Sequence, residues 1–225
     1  MTRQLGAAVK GWTPPHWPGR EPMTGRWCRI EPLSAARNAA PLHAAFAEDD
    51  GTMWDYMPVG PFADEGAFRG FLENAERSED PLFHTILDER GDPAGFATYL
   101  RIEPSHGVIE IGFITLSPRL RRSRAATEAM YLMMKRAFDL DYRRYEWKCN
   151  ALNEPSRRAA SRLGFTHEGR FRQHMIVKGR NRDTDWFSVL DAEWPRLRAG
   201  FEAWLDPANF DAAGNQKRRL EECRA

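Results

Sequence analysis

The stretch from Gly107 to Phe165 limits most sharply what this chain can fold into. Val108 to Leu116 (VIEIGFITL) is rich in β-branched and aromatic residues, as a strand is, and Pro118 stops it. From Ala125 the spacing turns helical: Met130, Leu132, Met133, Ala137 and Phe138 fall on one apolar face. Arg143 to Asn150 alternates again, with Tyr145, Trp147 and Cys149 on one side and Glu146 and Lys148 on the other. Asn153-Glu-Pro-Ser156 then opens a short helix that Gly164 ends. A strand–helix–strand crossover of this length predicts two parallel strands with the helix packed on the sheet, an α/β arrangement.

The bend Pro118–Ala126 lies between a strand end and a helix start. Backbone N–H groups there lack partners and the helix dipole favours negative charge, so it is a natural anion site. Arg119, Arg121, Arg122 and Arg124 crowd it. Guanidinium groups grip phosphate oxygens in pairs, which suits a polyphosphate. A solvated basic turn is the other reading of such a run.

The positions Arg121, Arg124 and Ala126, followed by Thr127-Glu128-Ala129, and Asn153-x-x-Ser156 with Ala159-Ala160 and Leu163-Gly164-Phe165, resemble the acyl-coenzyme A binding core of the GNAT acetyltransferase superfamily, in particular its RimJ/RimL-like branch. The family's pyrophosphate loop reads Arg/Gln-x-x-Gly-x-Gly/Ala. Arg121 and Ala126 fit. The central Gly is Arg124 here, and the Gly common after the first Arg is Arg122; added positive charge is the expected compensation. The resemblance spans roughly residues 25–195. It implies a mixed α/β (α+β) fold: a mostly antiparallel twisted sheet with a central splayed parallel strand pair, flanked by helices. It implies acetyl-coenzyme A as co-substrate and no metal. Arg121, Arg122, Ser123, Arg124, Ala125, Ala126 and Thr127 would hold the diphosphate. The backbone of Phe113, Ile114, Thr115 and Leu116 would line the acyl arm, and Asn153 would bond the pantetheine. Many relatives carry a Tyr on the last helix as the acid that reprotonates the thiolate. No Tyr lies between Asn150 and Phe165, and Ser156 is the implied substitute. A helix cap is the competing role for Ser156.

An amine acceptor must lose a proton before it attacks a thioester, and a carboxylate in reach can take it. Glu110 sits among Val108, Ile109 and Ile111, where burial would raise its pKa. The RimJ/RimL-like branch often has Glu at this place before Gly112. A structural ion pair, for instance with Arg101, is the alternative. His84, His106 and His174 are further candidate bases, and their spacing gives no metal pattern.

The remaining sequence frames this core. Residues 1–25, with GWTPPHWPGREP at their centre, read as an irregular arm that Trp12 and Trp17 anchor; 26–206 read as one acyltransferase domain; 207–225 read as a polar tail, frayed from Asp211. Strands are expected at Trp27–Pro32, Leu82–Leu87 and Ala94–Ile102, and helices at Ser34–Glu48, capped by Ser34, and from Asp64 to about Arg77. The aromatic loop between those helices supplies Trp54, Tyr56 and Phe62, which by the resemblance are acceptor contacts. A hydrophobic cluster under a long loop is the other reading. A hairpin follows Phe165, with strands Glu168–Val177 and Thr184–Leu190 about a turn Lys178–Asp183; His174 and Asp183 could line the acceptor entrance. The helix Ala192–Trp204 carries Trp194, Leu197, Phe201 and Trp204 on one face, which must pack on the body or on a second copy, as in a homodimer.

A net charge of +1 gives no global field for nucleic acid or membrane, and no apolar run approaches the length of a membrane span. Three widely spaced cysteines, Cys28, Cys149 and Cys223, point to a reducing compartment, and Met1 to Lys10 lacks a signal-peptide core, so a cytoplasmic location is expected. The expected function is N-acetyl transfer to a primary amine of a small molecule or peptide. A coenzyme A-binding protein without catalysis and, further off, an RNA- or ribosome-associated module are the rivals.

Overall fold

The computed structural model describes residues 5–224. Its sheet runs β1 (Met23–Thr24), β2 (Arg29–Pro32), β3 (Leu82–Leu87), β4 (Pro93–Glu103), β5 (Val108–Leu116), β6 (Arg144–Asn150), β7 (Thr166–Val177) and β8 (Arg180–Leu190). Their spatial order is β1-β2-β3-β4-β5-β6-β8-β7. Every neighbouring pair is antiparallel except β5 and β6. That one parallel pair is the crossover expected from Gly107–Phe165, and the fold is the mixed sheet expected. Helix α3 (Arg124–Asp139) makes the crossover.

Alternation along the strands sorts the two faces. Tyr99, Ile109, Ile111, Tyr145, Trp147, Phe187 and Val189 point to α3 and to α5 (Trp194–Leu205), forming the larger core. On the other face α1 (Ala35–Phe46) and α2 (Glu65–Arg77) bury Phe46, Trp54, Phe68, Phe83 and Phe96. α4 (Glu154–Leu163) ends at Gly164, whose φ of +97° meets the left-handed C-cap.

The apolar face of α5 is covered by the chain itself: Trp194 stacks on Phe138 at 5.1 Å and Phe201 lies 5.5 Å from Tyr131. The tail departs from expectation, because it is docked rather than frayed. Trp204 donates its indole N–H to Gln216 Oε1, Leu220 in the short helix α6 (Leu220–Cys223) is fully buried, and Arg224 donates to the Arg162 carbonyl. Apolar anchors so widely spaced, Phe210 and Leu220, give no periodic signal. The expected turn Lys178–Asp183 shrinks to Lys178-Gly179, both at positive φ, and β8 starts at Arg180. Two such residues suffice for a tight hairpin whose twist matches the strands. Ser34 does not cap α1 through its side chain; instead its N–H donates to Asn38 Oδ1.

The arm is irregular from residue 5 to Pro22, and β1 follows. Trp12 rests against Gly107 and Arg143, whereas Trp17 is half exposed. Where the arm enters the sheet, Glu128 of α3 takes three backbone N–H groups, from Arg26 (2.8 Å), Trp27 (2.5 Å) and Cys28 (2.8 Å). Among the described residues no helix is long and apolar enough to cross a membrane.

Candidate active site

β5 and β6 pair only from Val108–Arg144 to Ile111–Trp147. Past that point β5 continues to Leu116 and β6 to Asn150 with no pairing between them. The cause lies in β5. Thr98 opposes Gly112 but Phe96 opposes Thr115, so β5 carries one extra residue, and Phe113 sits at φ +47°. The Phe113 ring turns into the α1–α2 core, 5.3 Å from Phe83. Meanwhile β6 stays paired with β8 to its end. The two strands therefore fork, and the β6-facing edge of Gly112, Phe113, Ile114, Thr115 and Leu116 has no strand partner.

At the open end of the fork α3 begins. Ser123 caps it, accepting from the Ala126 N–H at 3.0 Å. The N–H groups of Arg122, Arg124 and Ala125 have no acceptor among the described residues. The arginines divide. Arg121 donates to the Leu116 carbonyl and pairs with Asp49 at 2.7 Å; Arg124 grips Glu89 with two bonds and lies 3.8 Å over Trp27; Arg119 donates to the Pro93 carbonyl. Arg122 is exposed and, among the described residues, carries no such bond. Amides and one free guanidinium thus face any anion here, while the other side chains brace the bend. Thr127 is turned inward, its hydroxyl accepting from Arg162.

Where the fork closes, its two sides carry different chemistry. On the α4 side, Asn153 caps the helix by accepting from the Ser156 N–H, which leaves its amide nitrogen without a partner among the described residues. Ser156 Oγ accepts from Trp147 Nε1 at 3.1 Å, which fixes the oxygen and leaves the hydroxyl able to donate. Cys149 is buried beside it, and burial pushes its thiol up.

On the opposite side, Lys148 is the first β6 residue past the fork. It reaches back over the opening to Glu110 Oε2 at 2.6 Å and lies 3.3 Å from Glu146 Oε2. Its ammonium rests 3.7 Å over the Trp186 ring. Arg101 Nε approaches the same Glu110 oxygen at 3.4 Å. Glu110 is 5% exposed; burial raises its pKa, and Lys148 and Arg101 pull it part of the way back. Arg144 joins Glu146 to Glu168, completing a row of charges across the sheet.

The Glu110 side of the fork is bounded by the loop after α1 and by the β7–β8 hairpin. Lys178 at the hairpin tip donates to the Trp54 carbonyl at 2.8 Å. The Trp54 and Phe62 rings meet at 5.4 Å inside the α1–α2 cluster, and Tyr56 is half buried in the same loop. His174 is placed on this face by a bulge in β7; its Nδ1 lies 3.0 Å from Thr184 Oγ1, and burial with the charges of Arg182, Lys148 and Arg101 holds its pKa down. The other histidines lie apart: His84 is in the core and His106 is at the far end of β5. Asp183 is taken up by the hairpin, accepting from the Gln173 N–H and the Asn181 amide. Sequence reasoning missed Lys148, Arg182 and Thr184; alternation puts Lys148 opposite the apolar face but does not name its partner. Among the described residues no group of three His, Cys, Asp or Glu could hold a metal ion.

The family profile described as an acetyltransferase (GNAT) domain matches residues 28–166. A GCN5-related N-acetyltransferase from Brucella melitensis, known by crystal structure, is 50% identical, with 96% of this chain and 99% of that one covered and a TM-score of 0.94. An uncharacterized N-acetyltransferase, p20, from Bacillus licheniformis is 27% identical over 150 residues, which is 64% of this chain and 84% of that protein. The microcin C7 self-immunity acetyltransferase MccE, solved in complex with acetyl-CoA and AMP, shares the fold at 20% identity and a TM-score of 0.66, with 74% of this chain and 93% of that one covered.

Proposed function

The chain belongs to the GNAT acetyltransferase family, and on that premise we propose that it moves an acetyl group from acetyl-coenzyme A to a primary amine of a small molecule or peptide by direct attack. The fork carries this reading: it opens between a hydroxyl on one side, Ser156, and a buried carboxylate on the other, Glu110. Bound coenzyme A supplies the activated acetyl thioester. The amides of Arg122, Arg124 and Ala125, with the Arg122 guanidinium, would hold its diphosphate. The unpaired edge of residues 113–116 and the free amide nitrogen of Asn153 would hold the arm.

Glu110 takes the proton of the acceptor ammonium, directly or through a water. Burial makes its carboxylate more basic, and Lys148 and Arg101 hold its orientation. Ser156 gives a proton to the departing sulfur and regains one as the attacking nitrogen sheds its second, while Trp147 fixes its oxygen. Direct attack needs no enzyme nucleophile, and the buried Cys149 is held in its thiol form. Tyr56 and His174 face the acceptor, with Trp54 and Phe62 as the apolar backing of that wall. The Asn153–Ser156 pattern supports a place in the RimJ/RimL-like branch, and three unpaired thiols go with a cytoplasmic location.

Release of free thiol from acetyl-coenzyme A, followed over a panel of primary amines, tests the proposal. At least one amine should be turned over with sequential kinetics. Tight coenzyme A binding with no amine acetylated would instead leave a binding protein. RNA retention that falls with salt, without coenzyme A affinity, would overturn the reading altogether.

A further inference from the structure

Around the fork, on the acceptor side, the charges do not cancel. Glu110, Glu146 and Glu168 are matched by Lys148, Arg101 and Arg144. A fourth cation, Arg182 of β8, is half buried and has no carboxylate partner among the described residues. Its Nε donates to Thr184 Oγ1 at 3.3 Å. Thr184 is 1% exposed and is also tied to His174, so the anchor is fixed. Thr184 pairs with Asn150, the last residue of β6, and Arg182 lies two residues beyond it along β8, which places it past the point where β5 and β6 part.

A half-buried guanidinium without a counter-ion is costly, so the fold alone gives no reason for it. With Nε held by Thr184, the two terminal nitrogens remain. They form the flat end that grips a carboxylate with two parallel bonds. Burial, and after it the surrounding cations, bias His174 beside it towards its neutral form, which leaves the positive charge of Arg182 uncrowded. Phe171 and Trp186, 4.8 Å apart, wall the same floor.

We infer that Arg182 anchors a carboxylate carried by the amine acceptor a few atoms from the reacting nitrogen. The acceptor is then an amino acid, or a peptide whose first residue supplies the acid. The inference rests on the acyl-transfer reading for its reaction, but the anchor is a binding property and can be tested without turnover.

The test uses the full chain, wild type and Arg182→Met. Thiol release from acetyl-coenzyme A is measured with the common L-amino acids, their carboxamides, and Asp- and Glu-initiated dipeptide amides. The best carboxylate acceptor should exceed its neutral counterpart at least tenfold in kcat/KM, as expected for bonds to a charged group. Arg182→Met should cut that ratio to within about twofold by raising KM, with acetyl-coenzyme A affinity unchanged. Preference for free amino acids over the Asp and Glu dipeptide amides identifies the α-carboxylate, and the reverse identifies the acidic side chain. Equal use of charged and neutral acceptors overturns the inference, as does a loss in Arg182→Met spread evenly over both.

In parallel, calorimetry compares N-acetyl amino acids with their carboxamides. Tighter binding of the acids, lost in Arg182→Met, supports the anchor even if no amine is acetylated, and then only the acyl-transfer reading fails. Equal binding of acids and amides by the wild type overturns the anchor. Should Arg182→Met fold poorly, Thr184→Val, which frees Nε, should raise KM for the carboxylate acceptor and leave its amide unaffected; no such difference also overturns it.

Discussion

Glu110 and Lys148 face each other across the fork at 2.6 Å, both nearly out of solvent. Glu110→Gln leaves the Lys148 ammonium with Glu146 at 3.3 Å and the Trp186 ring. Breaking a buried ion pair from one side costs about 3–5 kcal/mol, and the help from Glu146 puts this case near about 3. Lys148→Met leaves Glu110 with Arg101 at 3.4 Å, whose side chain is 57% exposed and a weak substitute, so its cost is similar. Removing both charges together should cost less than the sum by about 2 kcal/mol. Activity should divide differently. Glu110→Gln removes the proton acceptor and should lower kcat/KM about 100-fold, and the double variant should stay as low. Lys148→Met keeps the carboxylate but removes the cation that draws its pKa down. The acid limb of the kcat/KM profile should then move to higher pH, since the base works only when ionised. Urea unfolding of the four proteins and thiol release between about pH 5 and 9 decide the matter. If Glu110→Gln, corrected for its folded fraction, stays within about twofold of wild type, Glu110 is a strut and not a base. If the two costs simply add, the pair is not coupled and the energetic argument fails with it.

Three further outcomes follow from the same geometry. Arg122→Ala should weaken acetyl-coenzyme A binding about tenfold, more at low salt than at high, because it removes the free guanidinium of the bend; a salt-independent loss would point away from phosphate contact. Burial lowers the His84 pKa from 6.5 to about 4, so the native state holds it neutral while the unfolded chain takes a proton below about 6.5. Stability should therefore fall by about 3 kcal/mol as pH drops from about 6.5 to 4, and His84→Gln should flatten that slope in urea melts; parallel slopes would refute it. Glu128→Ala leaves the N–H groups of Arg26, Trp27 and Cys28 without their acceptor and should cost about 3 kcal/mol or more, and an unchanged unfolding midpoint would show that water replaces the carboxylate.

The crossover is legible in the sequence because its signals are local. Periodicity changes from alternating to helical between Leu116 and Ala125, and Gly164 marks the stop of α4 where the backbone does turn left-handed. The fork is legible only through resemblance: Gly112 hints at an irregularity in β5, but nothing in the run places the extra residue at Phe113. The arginines of the bend are the opposite case. Their number is plain, but Asp49 and Glu89, which hold Arg121 and Arg124, come from segments far off along the chain. Likewise Lys148 reads as the polar side of a strand, and only the parting of β5 and β6 turns it towards Glu110. The aromatic loop shows why composition cannot decide between two uses: Trp54 and Phe62 meet ring to ring in the cluster, and the same residue types could have lined an open wall.

The bond from Lys178 to the Trp54 carbonyl spans from the hairpin tip to the loop after α1. It makes a hoop where there would otherwise be a trough. A trough admits the middle of a long polymer, whereas a hoop must be threaded from an end. On the acyl-transfer reading proposed above, an amine at the end of a slender chain should pass it more readily than one set in a broad folded surface. Cutting the hoop by shortening Lys178 would widen the range of guests without touching the chemistry beneath.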